Sequence, residues 1–200
     1  FIRETLLDMQ TELKKHKTSL QVFYNTPINV FANLSEKYTV QKVFANEDYE
    51  QYAIDRDEAI SALLKKHDAE LKLYKDQVIF SKNEVLKDDG KPYTVFTPYS
   101  KKWLAKLNPF YLKSYPTKKN FKHFYKDEPH SIPSLESMGF KKVCKQFPAK
   151  TIDANIIKDY KQTRDFPGIN GTSKGSVHLR FGTISIRELA SKARKLNSTY

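Results

Sequence analysis

Over residues 1–80 the hydrophobic pattern keeps switching between a helical period and short apolar runs, and this alternation limits the possible folds most. Ile2, Leu6, Met9 and Leu13 share one helical face, so the chain opens in an amphipathic helix. SLQVFY (19–24) is a β-branched and aromatic run of strand length. Thr26-Pro27 reads as an N-cap followed by proline at the first helical position, with Ile28, Phe31 and Leu34 continuing the helix. VQKVFA (40–45) is the next strand. EDYEQYAIDRDEAISALLKKH (47–67) is a long helix carrying Ile54, Ile60, Leu63, Leu64 and His67. DQVIF (76–80) reads as a further strand, and Asp89-Gly90 as a turn. Helices alternating with short strands predict crossover connections and a parallel sheet, an α/β layered fold. Such sheets usually begin on a strand, whereas this series begins on a helix. On its own, an ordinary N-terminal helix accounts for that.

The texture changes after residue 107. Five prolines, at 109, 116, 129, 133 and 148, lie among dense lysines, and no clear period survives. Residues 108–150 read as a long connection over a domain surface. Phe110, Tyr111, Tyr115, Phe121, Phe124 and Tyr125 argue that it is partly packed rather than a free tether. Helical pattern returns with Ile152, Ile156, Ile157 and Tyr160. Thr172-Ser173 reads as a helix start, and Ser185 to Glu188 as a capping box.

Charge follows the same division. The formal net charge is +12. Residues 1–100 hold 14 Lys and Arg against 16 Asp and Glu, whereas residues 101–200 hold 21 against 7. The second half is a candidate polyanion surface, although composition alone slightly favours a solvated basic linker. Cys144 is the one cysteine, so no internal disulfide forms. No apolar run approaches a membrane span, and FIRETLLDMQTELKKHK lacks a secretory layout. A cytoplasmic protein without a membrane partner is expected.

RDFPGINGTSKGSVHLRFG (164–182) holds four of the six glycines. Gly168 and Gly171 permit tight turns, Thr172 and Ser173 offer hydroxyls, Lys174 adds a charge, and Gly175 allows close backbone approach. A helix start at this point would favour an anion. The order differs from a P-loop, and no strand precedes it as in a dinucleotide fingerprint. Such a loop serves as a plain structural turn at least as often as it serves as a phosphate cradle. His16, His67, His123, His130 and His178 show no metal-ligand spacing with one another or with Cys144. Asp55 and Asp57 are two apart and do not share a helix face, so they form no catalytic pair. No G-x-S-x-G elbow is present. No catalytic side chain is assigned.

Two segments together resemble the photolyase/cryptochrome family of blue-light flavoproteins: GKPYTVFTPYSKKWLAKL (90–107) and YKQTRDFPGINGTSKGSVHLRFGTISIREL (160–189). FANEDYEQYAIDRDEAI (44–60), with its Arg56-Asp57 pair, resembles the same family's strand-to-helix step. The resemblance implies a Rossmann-like α/β antenna domain lacking its first strands (1–107), an interdomain linker (108–150) and the beginning of an all-helical FAD domain (151–200). The chain is then a fragment of a longer parent, and the helical opening reflects that.

Carried over residue by residue, the resemblance implies FAD contacts from Tyr160, Thr172, Ser173, Lys174, Gly175 and Ser176, and a DNA contact from Arg164. Gly175 stands where the family has leucine, and His178 where tyrosine is common. Tyr52-Ala53 replaces the Asn-Glu of folate-antenna members, so the identity of any second, antenna chromophore stays open. Trp103 is expected to pack. The implied function is light-driven repair of cyclobutane pyrimidine dimers in damaged DNA, with cryptochrome-type signalling as the alternative. No obligate protein partner is expected, and the isolated fragment is expected to be inactive.

Overall fold

The computed structural model describes residues 1–143 and 146–197. Thr26 and Pro27 begin a helix as their chemistry dictates. Thr26 is extended at the N-cap, and Pro27 occupies the first turn of α2 (Pro27–Lys37), which follows α1 (Ile2–Lys14). The chain then forms β1 (Lys42–Asn46), α3 (Gln51–Lys65) and β2 (Glu70–Tyr74). β1 and β2 pair in parallel, with Val43 opposite Leu71 and Ala45 opposite Leu73. Ile60, Leu64 and Ala69 form the first core beneath this pair, with Phe31, Val40, Val43 and Leu71 against them. The expected α/β layering is present, with a parallel sheet of two strands among the described residues.

Two expected strands are corrected. Residues 19–24 are not a strand among the described residues. Strands persist through hydrogen-bonded neighbours, and here the nearest partner is a side chain. Gln10 accepts from the Leu20 N–H at 2.7 Å and donates to Ser19 Oγ at 2.8 Å. That use of Gln10 also rotates α1, so Gln10 and Leu13 are buried while Ile2 and Met9 face solvent. The second strand is ELKLY (70–74), not DQVIF (76–80). α3 ends in a left-handed residue, Asp68 (φ 54°), and the next residues enter the sheet through a Glu70 N–H to Gln41 C=O bond of 3.0 Å. The apolar part of DQVIF has a different use: Ile79 and Phe80 join Val85 and Leu107 in a second core.

The second core is roofed by α4 (Phe96–Lys106), whose Trp103 meets Phe80 edge-on at 5.3 Å. Tyr111 from the following connection also meets Phe80 edge-on, at 4.6 Å. The connection then runs back along α1. Thr18 Oγ1 donates to the Tyr125 carbonyl at 2.7 Å, Gln10 to His130 at 2.9 Å, and Arg3 to Pro133 at 2.9 Å. Of the aromatics expected to pack, Tyr111 joins the second core and Phe121 meets His16, whereas Phe110, Tyr115, Phe124 and Tyr125 are exposed. Hydrogen bonds hold the rest of the connection, whose described backbone forms short 3₁₀ turns.

The remainder is helical: α5 (Ala154–Lys158), α6 (Tyr160–Thr163), α7 (Ser176–Arg180) and α8 (Ile186–Leu196). Ile152, Ile157, Leu189 and Ala193 form a third core. α8 faces two cores at once, because its Ile186 and Ala190 pack on the second. Arg187, on the same helix, donates to the carbonyls of Asp76 at 2.7 Å, Lys75 at 3.2 Å and Val78 at 3.3 Å. No helix among the described residues is long and apolar enough to cross a membrane.

Candidate functional site

α6 supplies a single turn, and Arg164 caps it. The chain then folds through successive tight turns, with the Phe166 N–H on Thr163, the Ile169 N–H on Phe166 and the Gly171 N–H on Ile169. Gly171 pins the loop back onto α6. A Cβ there would stand 2.6 Å from Thr163 Oγ1 and 2.7 Å from Thr163 Cβ, so only glycine lets the strands of the loop close. Lys174 reverses the backbone at φ 50°, and Gly175 is the N-cap of α7.

The helix expected at Thr172-Ser173 thus starts at Ser176. The left-handed Lys174 interrupts helical geometry before α7 can form. α7 has five residues, so its dipole is small, and attraction for an anion falls to Lys174 and Arg164.

Arg164, Thr172 and Lys174 line one hollow of about 370 Å³, with Phe166 and Ile169 on the same wall. Thr172 and Lys174 are exposed. Neither their side chains nor those of Ser173 and Ser176 form a hydrogen bond or ion pair among the described residues. Arg164 Nε lies 3.6 Å from Asp165 Oδ2, a solvent-facing pair. Tyr160 is half-buried at the start of α6 and lies off the hollow's wall. Gly175 turns inward instead: its Cα faces Ile152, whose Cδ1 would be 3.2 Å from a Cβ. The structure therefore gathers three of the seven expected site residues around one concavity and uses Gly175 for packing.

His178 is a structural hub. It is buried, with Nε2 2.7 Å from the Pro148 carbonyl and Nδ1 2.7 Å from Thr183 Oγ1. Its ring meets Phe1 edge-on at 5.4 Å. Asp55 and Asp57 have separate partners: Gln51 donates to the first at 2.7 Å, and Arg56 holds the second at 2.7 Å. No group of His, Cys, Asp and Glu suited to a metal ion occurs among the described residues. Cys144 lies outside the described residues. Arg187 escaped the sequence reading because its carbonyl partners lie over a hundred residues upstream. Ile152 looked like an ordinary core residue until its contact with Gly175 was visible.

The chain also has a definite kinship. The family model for DNA photolyase matches residues 1–120. The chain belongs to the DNA photolyase family. It is 26% identical to the deoxyribodipyrimidine photo-lyase of Synechococcus sp. over 205 residues, covering 94% of this chain and 42% of that protein. It is 27% identical to the deoxyribodipyrimidine photo-lyase of Halobacterium salinarum, with 99% of this chain and 44% of the relative covered. The chain thus spans about two fifths of the length of these relatives. A photolyase from Sulfolobus tokodaii, solved with two FAD molecules, superposes with a TM-score of 0.63 at 23% identity, covering 100% of this chain and 44% of that one. A class III photolyase from Agrobacterium tumefaciens superposes with a TM-score of 0.66 at 17% identity, covering 99% and 45%. Both likenesses establish a photolyase-type fold for the chain as a whole.

Proposed function

We propose that residues 160–176 form one wall of a FAD site in a protein that repairs cyclobutane pyrimidine dimers in DNA under blue light. The observation that carries this reading is the set of unpartnered polar side chains on the loop before α7. Thr172 and Ser173 offer hydroxyls, Lys174 offers an ammonium, and Arg164 stands on the same hollow. That donor set fits a diphosphate: the Thr172 hydroxyl and the Lys174 and Arg164 cations line one hollow, with Ser173 next to them in sequence.

FAD, when bound, supplies the electron that opens the dimer, which fits the lack of any acid–base or metal centre assigned from the residues. This chain's own residues bind and orient. Thr172, Ser173, Lys174 and Ser176 hold the diphosphate, the Gly175 backbone permits close approach, and Tyr160 contacts the cofactor's edge. Arg164 takes a DNA phosphate near a lesion turned out of the stack. In the same reading, residues 1–107 are the α/β antenna unit, 108–150 the linker, and 151–200 the beginning of the flavin-binding domain.

The test uses the complete reading frame that carries residues 1–200. Purified protein should hold flavin and remove dimers from an irradiated oligonucleotide only under blue light. Lys174→Glu should lower flavin absorbance per chain. Flavin bound at full occupancy with no dimer loss under light would overturn the repair function and favour signalling.

A further inference from the structure

A second basic surface lies at the other end of α1. Its residues come from two distant segments that specific contacts bring together. Lys126 Nζ donates to the His16 carbonyl at 2.9 Å, and the His16 ring stands edge-on to Phe121 at 5.1 Å. The Asp127 N–H reaches the Lys17 carbonyl at 3.3 Å. These contacts set Lys14 and Lys17 of the α1 end beside Lys118, Lys119, Lys122 and Lys126 of the connection.

Of those six, only Lys118 has a carboxylate within 4.0 Å among the described residues, Glu12 at 3.4 Å. The hydrogen bond from Lys15, then that from Lys118, holds the Glu12 carboxyl below its usual range. Asp127 and Glu128 also edge the hollow at this point, but Asp127 is engaged by His130 at 2.6 Å.

Large rings on the same connection are exposed. Tyr125 is 78% exposed, Tyr115 62% and Phe124 42%. Lys113 Nζ stands over the Tyr115 ring at 5.5 Å and Phe124 leans on Phe121 at 5.1 Å, so Tyr125 is the ring with a face to spare. An aromatic face left in water beside cations marks a surface that meets something flat and anionic. An unpaired nucleic-acid strand offers both features, phosphates for the lysines and base faces for the rings. A duplex keeps its base faces stacked. A bilayer favours a flat or protruding patch, whereas Lys14, Lys17 and Lys126 line a hollow of about 670 Å³.

The patch is separate from the flavin-side loop. Phe1, at the start of α1, packs on His178 and Phe181 beside α7, and a thirteen-residue helix is about 20 Å long. We propose that the end of α1 and residues 115–126 form a second nucleic-acid surface, which holds an unpaired strand without regard to lesion or flavin. The lysines take phosphates and Tyr125 stacks on a base.

The test uses the 200-residue chain in the dark, without flavin. Anisotropy is read on a labelled, undamaged oligo-dT of about 16 nucleotides, which is within the site sizes of such surfaces. A duplex of equal length and phosphatidylserine vesicles serve as the other probes. Oligo-dT should bind tightest, with affinity falling as salt rises. The triple variant Lys14→Gln/Lys119→Gln/Lys122→Gln, which keeps the Lys126 bond to His16, should lower the salt slope by about two, at roughly 0.7 per phosphate contact. Tyr125→Ala should weaken oligo-dT by about fivefold or more and leave duplex binding unchanged. Lys158→Gln/Lys195→Gln, on α5 and α8, should leave oligo-dT binding within twofold. All variants alter exposed side chains, and circular dichroism checks their folding. The proposal fails if the triple variant binds like the parent chain, if vesicles bind more tightly than oligo-dT, or if the α5–α8 variant is the one that loses binding.

Discussion

Gly175 and Ile152 share one volume. The glycine's missing side chain is replaced by a methyl group from 23 positions upstream, 3.2 Å from where a Cβ would be. Placing leucine there with Gly175→Leu should therefore destabilise the chain by about 1–3 kcal/mol through overpacking. Ile152→Ala alone leaves a cavity and costs about 2–5 kcal/mol. In the double variant each change relieves the other, so urea unfolding should give a combined loss at least ~1 kcal/mol smaller than the sum. Additive losses would show that the two side chains do not compete. At this scale sequence reasoning could see that Gly175 departed from the family's pattern. It could not see the compensation, because a contact between positions 152 and 175 has no local signature. Arg164, Thr172 and Lys174 were legible as phosphate-friendly types. Their convergence depends on the turns pinned by Gly171, which only the fold displays.

Helix endings explain both what was readable and what was missed among the elements. α1, α3 and α7 all finish with a residue in the left-handed region: Lys17 and Asp68 at φ 54°, and Gly182 at φ 64°. Each ending closes with a six-residue bond, such as the Ala69 N–H on the Leu64 carbonyl at 3.0 Å. Glycine is the usual residue there, and an L side chain costs about 1–2 kcal/mol in that conformation. Glycine's extra freedom in the unfolded chain offsets about 0.5–1 kcal/mol of the relief. Asp68→Gly should thus stabilise the protein by about 0.5–1 kcal/mol, read as a rise in the urea midpoint at unchanged slope; an unchanged or lower midpoint contradicts it. Thr26-Pro27 and Ser185, which accepts from the Glu188 N–H at 3.4 Å, were legible because their signals are local. The end of α3 was also legible, read at residue 67 against Lys65. The strand after it was not, since ELKLY carries two charges and little β-branching, and the strand signal fell on DQVIF, whose apolar side chains serve a core instead of a sheet.

For the whole molecule, α8 is the decisive connection. Leu189 and Ala193 close the third core, while Ile186 and Ala190 close part of the second. Arg187 binds three carbonyls on the segment after β2. Its side chain is 13% exposed, and truncation leaves the part-buried Lys75 and Val78 carbonyls without this donor. Arg187→Ala should destabilise the chain by about 2–3 kcal/mol, since hydrogen bonds to charged groups are the stronger kind. It should also turn a single thermal transition into two, because the third core would then melt apart from the other two. One sharp transition in that variant would show that apolar contacts alone unite the cores. The charge division between the two halves of the sequence hinted at separate units, yet composition cannot show a helix that belongs to both. Ile186, Arg187 and Ala190 form a plug, and the segment from Lys75 to Val85 forms its socket. If the exposed connection near Phe140 were severed, the two pieces would still carry matching halves of that joint. The fold is therefore suited to splitting into two polypeptides that reassemble on mixing, with the joint acting as the recognition element.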